Sequence, residues 1–196
     1  MSFLLLLCVG AVIARVLGLF FRTRLSLRDC MRYGMGMGFL FTGVDHFLNG
    51  AARYVPMMPD ALSEHALTWV HASGAAELAG GIGLMVPVAI YRGLGLPDLQ
   101  RLAGIMLAVL LICVVPANIN VALKGQSVQG LDFGSWYYWI RPFFQPVFIA
   151  WALYAVGVWP GRRSSQRPIA SMPRLPPFST IAGRRRQTRA RRRMSG

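Results

Sequence analysis

Acidic residues are scarce in this chain of 196 residues, which has 7 Asp and Glu against 21 Lys and Arg. Charged residues make up only 14% of the sequence, whereas hydrophobic residues make up 55%. A soluble domain of this length cannot hide several wholly apolar helices while covering its surface with so few charges. The shortage of charge therefore points away from a soluble fold and towards a membrane protein.

Cysteine is rare too, and the three present, Cys8, Cys30 and Cys113, fall in or beside three different apolar stretches without a C-x-x-C pair. A structural disulfide or a dithiol relay is therefore not expected. The chain also lacks G-x-G-x-x-G, P-loop and C-x-x-C-H motifs, which nucleotide and c-type haem sites require. We predict no metal site and find no motif for a cofactor. Quinone is the one small molecule that we consider as a ligand.

Long apolar stretches are abundant by contrast, and there are five: Ser2 to Phe21, Met31 to Leu48, Ala66 to Ile90, Leu102 to Leu123 and Pro142 to Trp159. Each approaches the ~20 residues that a helix needs to cross a bilayer. Their hydrophobicity is continuous rather than alternating, which indicates helices and not barrel strands. The sequence predicts an all-α membrane protein, with a four-helix transmembrane bundle in residues 28–160 and one extra N-terminal hydrophobic helix in residues 1–24. Because no basic residue precedes this first helix, we expect it to be retained rather than cleaved as a signal.

Basic residues favour alternate loops. Arginines are frequent between the first and second stretches, between the third and fourth, and after Trp159, where 11 follow. The opposite side receives only Arg53, Lys124 and Arg141. Because short cytoplasmic loops retain Lys and Arg, we predict a multi-pass protein of the bacterial inner membrane with a cytoplasmic C-terminus.

The segment 161–196 is rich in Arg, Pro and Ser and has no acidic residue. Such a composition cannot bury enough apolar surface to fold, so we predict a disordered tail. Its arginines are expected to lie on anionic lipids of the bilayer. The alternative, nucleic-acid binding by the runs 184–186 and 191–193, is less favoured, and we expect no specific nucleic-acid partner.

Polar side chains within apolar stretches are costly and mark candidate sites. Gly34, Gly38, Thr42 and Asp45 share one face of the second helix, which predicts a close packing seam that ends in a carboxylate. Glu77 falls near mid-membrane in the third. The predicted topology places most of the polar candidates at a similar depth in the outer half of the membrane. The full candidate set is Asp45, His46, His71, Glu77, Asn118, Arg141 and Gln145.

Two interpretations of this set compete. In the first, the residues only hold the helices together, with Arg141 pairing with Asp45 or Glu77. In the second, they surround a pocket open to the external leaflet that binds a quinone head group or relays protons. Glu77 and His71 would then handle the proton, while Asp45, Asn118 and Arg141 orient the ligand.

The run from Gly38 to Pro87, with its G…DHF, YVPMMP and H-x-S-G-x-x-E elements, and the later PANIN at Pro116 to Asn120 resemble the DoxX-like family of small bacterial membrane proteins. The resemblance implies a four-helix bundle over 28–160 and a link to quinone-dependent or other membrane redox assemblies. We therefore expect a quinone-facing or anchoring subunit that works with redox partner proteins. Independent enzymatic activity is not expected. The alternative is a small-solute permease or a scaffold without chemistry.

Overall fold

Helices form every regular element of the computed structural model, which describes residues 2–125 and 135–160. The all-α prediction is confirmed for this part of the chain. The predicted disordered tail, residues 161–196, lies outside it. Seven α-helices follow in order: α1 Ser2–Phe20, α2 Leu27–Leu48, α3 Ala66–Met85, α4 Val88–Gly93, α5 Leu99–Cys113, α6 Val115–Lys124 and α7 Ser135–Ala155. Between α2 and α3 the chain forms a π-helical turn, Gly50–Tyr54, and two 3₁₀ turns, Val55–Met57 and Asp60–His65.

Proline divides two of the predicted helices. The third stretch was expected to continue to Ile90, but α3 ends at Met85 because Pro87 lacks a backbone N–H and disfavours helical backbone in the residue before it. The fourth stretch is split between α5 and α6 at Val114, two residues before Pro116. The sequence analysis predicted one helix over this stretch, whereas the missing N–H of Pro116 explains the break.

The last helix begins seven residues earlier than predicted, at Ser135 instead of Pro142, and ends at Ala155 instead of Trp159. Pro142 and Pro146 thus lie inside α7. The aromatic residues before them, Trp136 to Trp139, belong to this helix and lie on both its buried and its exposed sides. Tyr137 and Tyr138 are buried, whereas Trp136 and Trp139 are more than half exposed.

Glycines bring the first three helices into close contact. A Cβ atom added to Gly34 would lie 2.5 Å from the Leu7 carbonyl oxygen of α1, so the predicted small-residue seam of α2 receives α1. A second set of glycines faces α3. Gly36 meets Gly81 and Gly43 meets Gly74, with added Cβ atoms within 3.2 Å of the opposite carbonyl oxygens. Helix α2 therefore packs through glycine on two sides, of which the sequence analysis identified one.

One of two apolar clusters among the described residues joins the N-terminal helix to its neighbours. Leu7 is fully buried among Met35, Phe39, Leu84 and Phe148. Phe3 packs edge-on against Phe39 of α2 and Phe148 of α7, with ring centroids 5.4 Å and 5.0 Å apart. Helix α1 is therefore an integral part of this unit.

Two segments of the described chain are long and apolar enough to cross a membrane, Phe3–Phe20 in α1 and Leu99–Lys124 across α5 and α6. The sequence analysis predicted five. Helices α2, α3 and α7 do not meet the same criterion, and they carry the ionisable residues Asp45, Glu77 and Arg141 respectively.

Candidate functional site

A cavity of about 450 Å³ lies between α1, α2, α3, α5, α6 and α7. One part of its wall is apolar and is formed mainly by Phe3, Leu6, Phe39, Leu111, Phe144 and Phe148. The rest of the wall is polar and is formed by Thr42, Asp45, His46, Arg53, Tyr54, Glu77, Asn118, Tyr137, Arg141 and Gln145. An apolar cavity with a few convergent polar groups has the general form of a small-molecule site.

Six of the seven candidate residues from the sequence line this cavity: Asp45, His46, Glu77, Asn118, Arg141 and Gln145. The seventh, His71, does not line it. Its ring stacks on Phe47 with centroids 5.2 Å apart, on a different side of the α2–α3 pair. The histidine beside Glu77 is His46, because its Nδ1 lies 3.6 Å from Glu77 Oε2. The sequence analysis had paired Glu77 with His71.

Asp45 is surrounded by hydrogen-bond donors from the segment that follows it. Asn49 Nδ2 donates to Oδ1 at 2.6 Å, and Tyr54 Oη donates to Oδ2 at 2.8 Å. Arg53 Nη1 also donates to Oδ2, which makes a largely buried ion pair. A carboxylate with three donors has few lone pairs left for a ligand. The hydrogen bonds of Asp45 therefore hold the turn after α2 against the cavity.

Tyr54 closes this end of the cavity. Its ring stacks on the imidazole of His46, with centroids 3.8 Å apart and planes within 22°. Burial, the hydrogen bond to Asp45 and the Asp45 charge all raise the pKa of the Tyr54 phenol. The phenol thus stays protonated at neutral pH and keeps donating to Asp45, which holds the ring in place.

Glu77 is buried between α2 and α3 and contacts Thr42 and His46. Thr42 Oγ1 lies 2.6 Å from Glu77 Oε2 and 3.2 Å from the Gly38 carbonyl oxygen. A hydroxyl has one proton, so it can donate to only one of these oxygens. Both contacts become hydrogen bonds when Glu77 carries a proton, because Glu77 then donates to Thr42 and Thr42 donates to Gly38.

His46 has a defined orientation beside this pair. Its Nδ1 lies 2.8 Å from the Thr42 carbonyl oxygen, an acceptor, so Nδ1 carries the proton. Nε2 of the neutral ring is then the acceptor. The arrangement places a buried carboxyl group, a hydroxyl and an imidazole side by side in the cavity wall, which is a set of groups able to hold and pass a proton.

Arg141 lines the cavity from α7, and its guanidinium lies 5.8 Å from the centre of the Tyr137 ring. Neither Asp45 nor Glu77 forms an ion pair with it. Its Nη1 is buried and has no hydrogen-bond partner among residues 2–125 and 135–160. An unpaired buried donor costs about 1–3 kcal/mol, and more when it is charged. Pairing of Arg141 with Asp45 or Glu77, which the first interpretation predicted, is therefore absent from the described residues.

Two buried amides complete the polar wall. Gln145, one helical turn after Arg141, donates from Nε2 to the Leu111 carbonyl oxygen at 3.3 Å and so connects α7 with α5. Asn118 lies in the first turn of α6, just after the break near Pro116. Asn120, two residues later, donates to the carbonyl oxygens of Met57 and Met58 and ties α6 to the turn that follows Tyr54.

Four residues of the polar wall were missed as site members: Thr42, Arg53, Tyr54 and Tyr137. Thr42 was considered only as part of the packing seam, Arg53 only as a basic residue of the external side, and Tyr54 only as part of the YVPMMP element. The spacing of Asp45, Asn49 and Arg53 by four residues was the available signal, since that spacing places side chains on one helical face. It was not recognised because the apolar stretch ends at Leu48.

Over the described residues, the fold and the cavity together define an all-α unit built around a cavity with an apolar and a polar wall. Residues 35–156 match the family model described as Domain of unknown function (DUF8561), and because this is more than half of the chain, the protein belongs to that family. No curated protein and no solved structure matches the chain. The matched region contains every polar residue of the cavity wall but not α1.

Proposed function

We propose that the protein is an integral membrane protein, DoxX-like in its motifs, whose cavity binds the carbonyl head group of a quinone. It would serve a membrane redox complex as a quinone-facing or anchoring subunit, in the bacterial inner membrane and with its C-terminus in the cytoplasm. The observation that carries the binding proposal is Nη1 of Arg141, which is buried in the cavity wall and has no hydrogen-bond partner among the described residues.

The membrane part of the proposal is supported by the outer surface of the helices. Large apolar side chains are exposed on α1, α2, α5 and α7, with Val12 61%, Phe41 63% and Phe143 78% exposed. Large apolar side chains exposed in such number are unfavourable in water and favourable in lipid. The glycine contacts between α1, α2 and α3 are also typical of membrane helices, which associate through small residues.

The ligand part follows from the chemistry of the polar wall. Arg141 needs an acceptor, and a quinone carbonyl supplies one without adding a charge to a buried site. Glu77, Thr42 and His46 are nearby groups that can deliver a proton when the quinone is reduced. Relative to the sequence hypothesis, His46 takes the place of His71 in this role, because His46 and not His71 lies beside Glu77.

A matched pair of arginine variants tests the proposal. Arg141→Met removes an unpaired buried charge, so we expect thermal stability in detergent to stay equal or rise, while affinity for a soluble ubiquinone analogue falls at least tenfold. Arg53→Met breaks the ion pair with Asp45, so we expect stability to fall. If Arg141→Met lowered stability as Arg53→Met does and left quinone affinity unchanged, the residue would be a helix-joining group and the proposal would fail.

Two further measurements separate the proposal from the alternative of a permease or scaffold. Glu77→Gln should lower quinone affinity, whereas removal of residues 161–196 should leave it unchanged. Substrate-dependent solute uptake into vesicles, without any effect on the redox state of added quinone, would support the permease instead.

A further inference from the structure

The cavity extends beyond the polar wall along α1, the helix outside the matched family region. Phe3 and Leu6 of α1 line the cavity together with Phe39, Phe144 and Phe148. The polar groups lie on the other helices. A ligand head held by Arg141 would therefore have only apolar neighbours on the α1 side.

The first helix stops short of the outer end of the second. Close contacts pair Gly10 with Gly34, Leu7 with Gly38 and Phe3 with Phe39, so the two helices run antiparallel and α1 begins beside Phe39. Helix α2 continues from Phe39 to Leu48, nine residues or about 13 Å further at ~1.5 Å per residue. Thr42, Asp45 and His46 all lie on this part of α2.

Three residues of the cavity wall are exposed apolar side chains, and they mark where the cavity reaches the surface. Leu5 and Val9 of α1 are 65% and 45% exposed, and Phe41 of α2 is 63% exposed. Phe41 lies seven residues after Gly34 and so on the α1-facing side of α2, near the start of α1. No charged residue belongs to this group of three, so the opening has an apolar rim.

We infer that the opening bounded by Leu5, Val9 and Phe41 is a lateral portal, through which the ligand enters from the lipid and along which its long apolar tail lies while the head remains in the polar wall. This inference rests on the proposed quinone-binding function and adds the ligand class, an amphiphile with a hydrogen-bond-accepting head and a tail of membrane length. Helix α1 would thus supply the tail contacts, and the family region would supply the head contacts.

The test uses the full-length protein in nanodiscs and two benzoquinone probes, one without a tail and one with a decyl tail that ends in a photoreactive diazirine. We expect irradiation of the tailed probe to label peptides that contain Leu5, Val9 or Phe41. The double substitution Leu5→Trp and Val9→Trp should reduce labelling at least tenfold by filling the opening, and should leave affinity for the tail-less quinone within twofold.

The control is the double substitution Val12→Trp and Val16→Trp, at exposed positions of the same helix that do not line the cavity. We expect it to change neither labelling nor affinity. Undiminished labelling in the Leu5 and Val9 variant would overturn the portal. An equal loss of labelling by the tailed probe and of affinity for the tail-less probe would overturn it too. Either result would leave quinone binding by the wild-type protein intact. If the wild-type protein bound neither probe, the proposed function itself would fail, and the portal with it.

Discussion

Two charged residues of the cavity, Asp45 and Arg141, differ in how well their charges are satisfied. Asp45 accepts hydrogen bonds from three neighbours within nine residues of the chain. Arg141 has a buried Nη1 without a hydrogen-bond partner in the described part of the chain. A side chain that is fully hydrogen-bonded contributes to folding, whereas one left unpaired in a cavity costs stability and is available to a ligand.

Replacing Asp45 by Asn should therefore weaken the protein without removing a ligand contact. The substitution keeps the shape but removes the negative charge opposite Arg53, and we expect the free energy of unfolding to fall by about 2–4 kcal/mol. Chemical denaturation of the detergent-solubilised protein measures this. Asp60→Asn is the matched control, because Asp60 pairs with Lys124 at the exposed surface and should change stability by less than about 0.5 kcal/mol. Equal effects of the two substitutions would contradict the assigned role.

The sequence predicted most of the candidate site but not its internal pairing. Six of seven candidates line one cavity because burial of a polar residue within an apolar stretch can be read from the sequence. Which carboxylate meets which arginine could not be predicted, since Arg53 reaches Asp45 only through the π-helical turn Gly50–Tyr54. That turn has no hydrophobic repeat of its own by which to recognise it.

The α2–α3 pair leaves little room for added volume, because glycine carbonyls and side chains meet there directly. A Cβ atom added at Gly74 would lie 2.6 Å from the His46 Cβ and 3.2 Å from the Gly43 carbonyl oxygen. The contact leaves no space for a methyl group unless the helices separate or His46 moves. The same contact therefore determines both helix packing and the position of a cavity side chain.

We expect Gly74→Ala to lower the free energy of unfolding by about 1–3 kcal/mol, through strain at this contact. Because His46 moves as well, quinone affinity should fall in the same variant. Gly93→Ala is the control, since nothing lies within 4 Å of a Cβ atom there and Gly93 is the last residue of a helix. Alanine should leave stability unchanged or raise it slightly at that position. A Gly74→Ala protein as stable as the control would show that the helices are not packed this closely.

At the scale of the whole molecule, the arginines at the beginning of α2 lie at the opposite end of that helix from the polar wall of the cavity. Asp45 and Arg53 lie near the C-terminal end of α2, while Arg28 and Arg32 lie near its beginning. If the bundle spans a membrane, these two ends face opposite compartments, and the positive-inside rule assigns the arginine-rich end to the cytoplasm.

Single cysteines introduced into a cysteine-free background should report this orientation. Ser63, exposed in the turn before α3, is expected on the outside, and Gly93, exposed at the end of α4, on the inside. A membrane-impermeant maleimide added to intact cells should label Ser63→Cys and not Gly93→Cys, and permeabilisation should make both reactive. Labelling of both positions in intact cells would contradict the proposed topology.

The sequence by itself determined the helical class, the approximate position of the helices and most of the polar candidates. These are local properties, because hydrophobic runs and the phase of side chains around a helix are set by neighbouring residues. Only the tertiary structure decided that His46 and not His71 accompanies Glu77, that Arg53 and not Arg141 neutralises Asp45, and that α1 walls the cavity. Each depends on the distance between helices, which glycine contacts and turn geometry set across residues far apart in the chain.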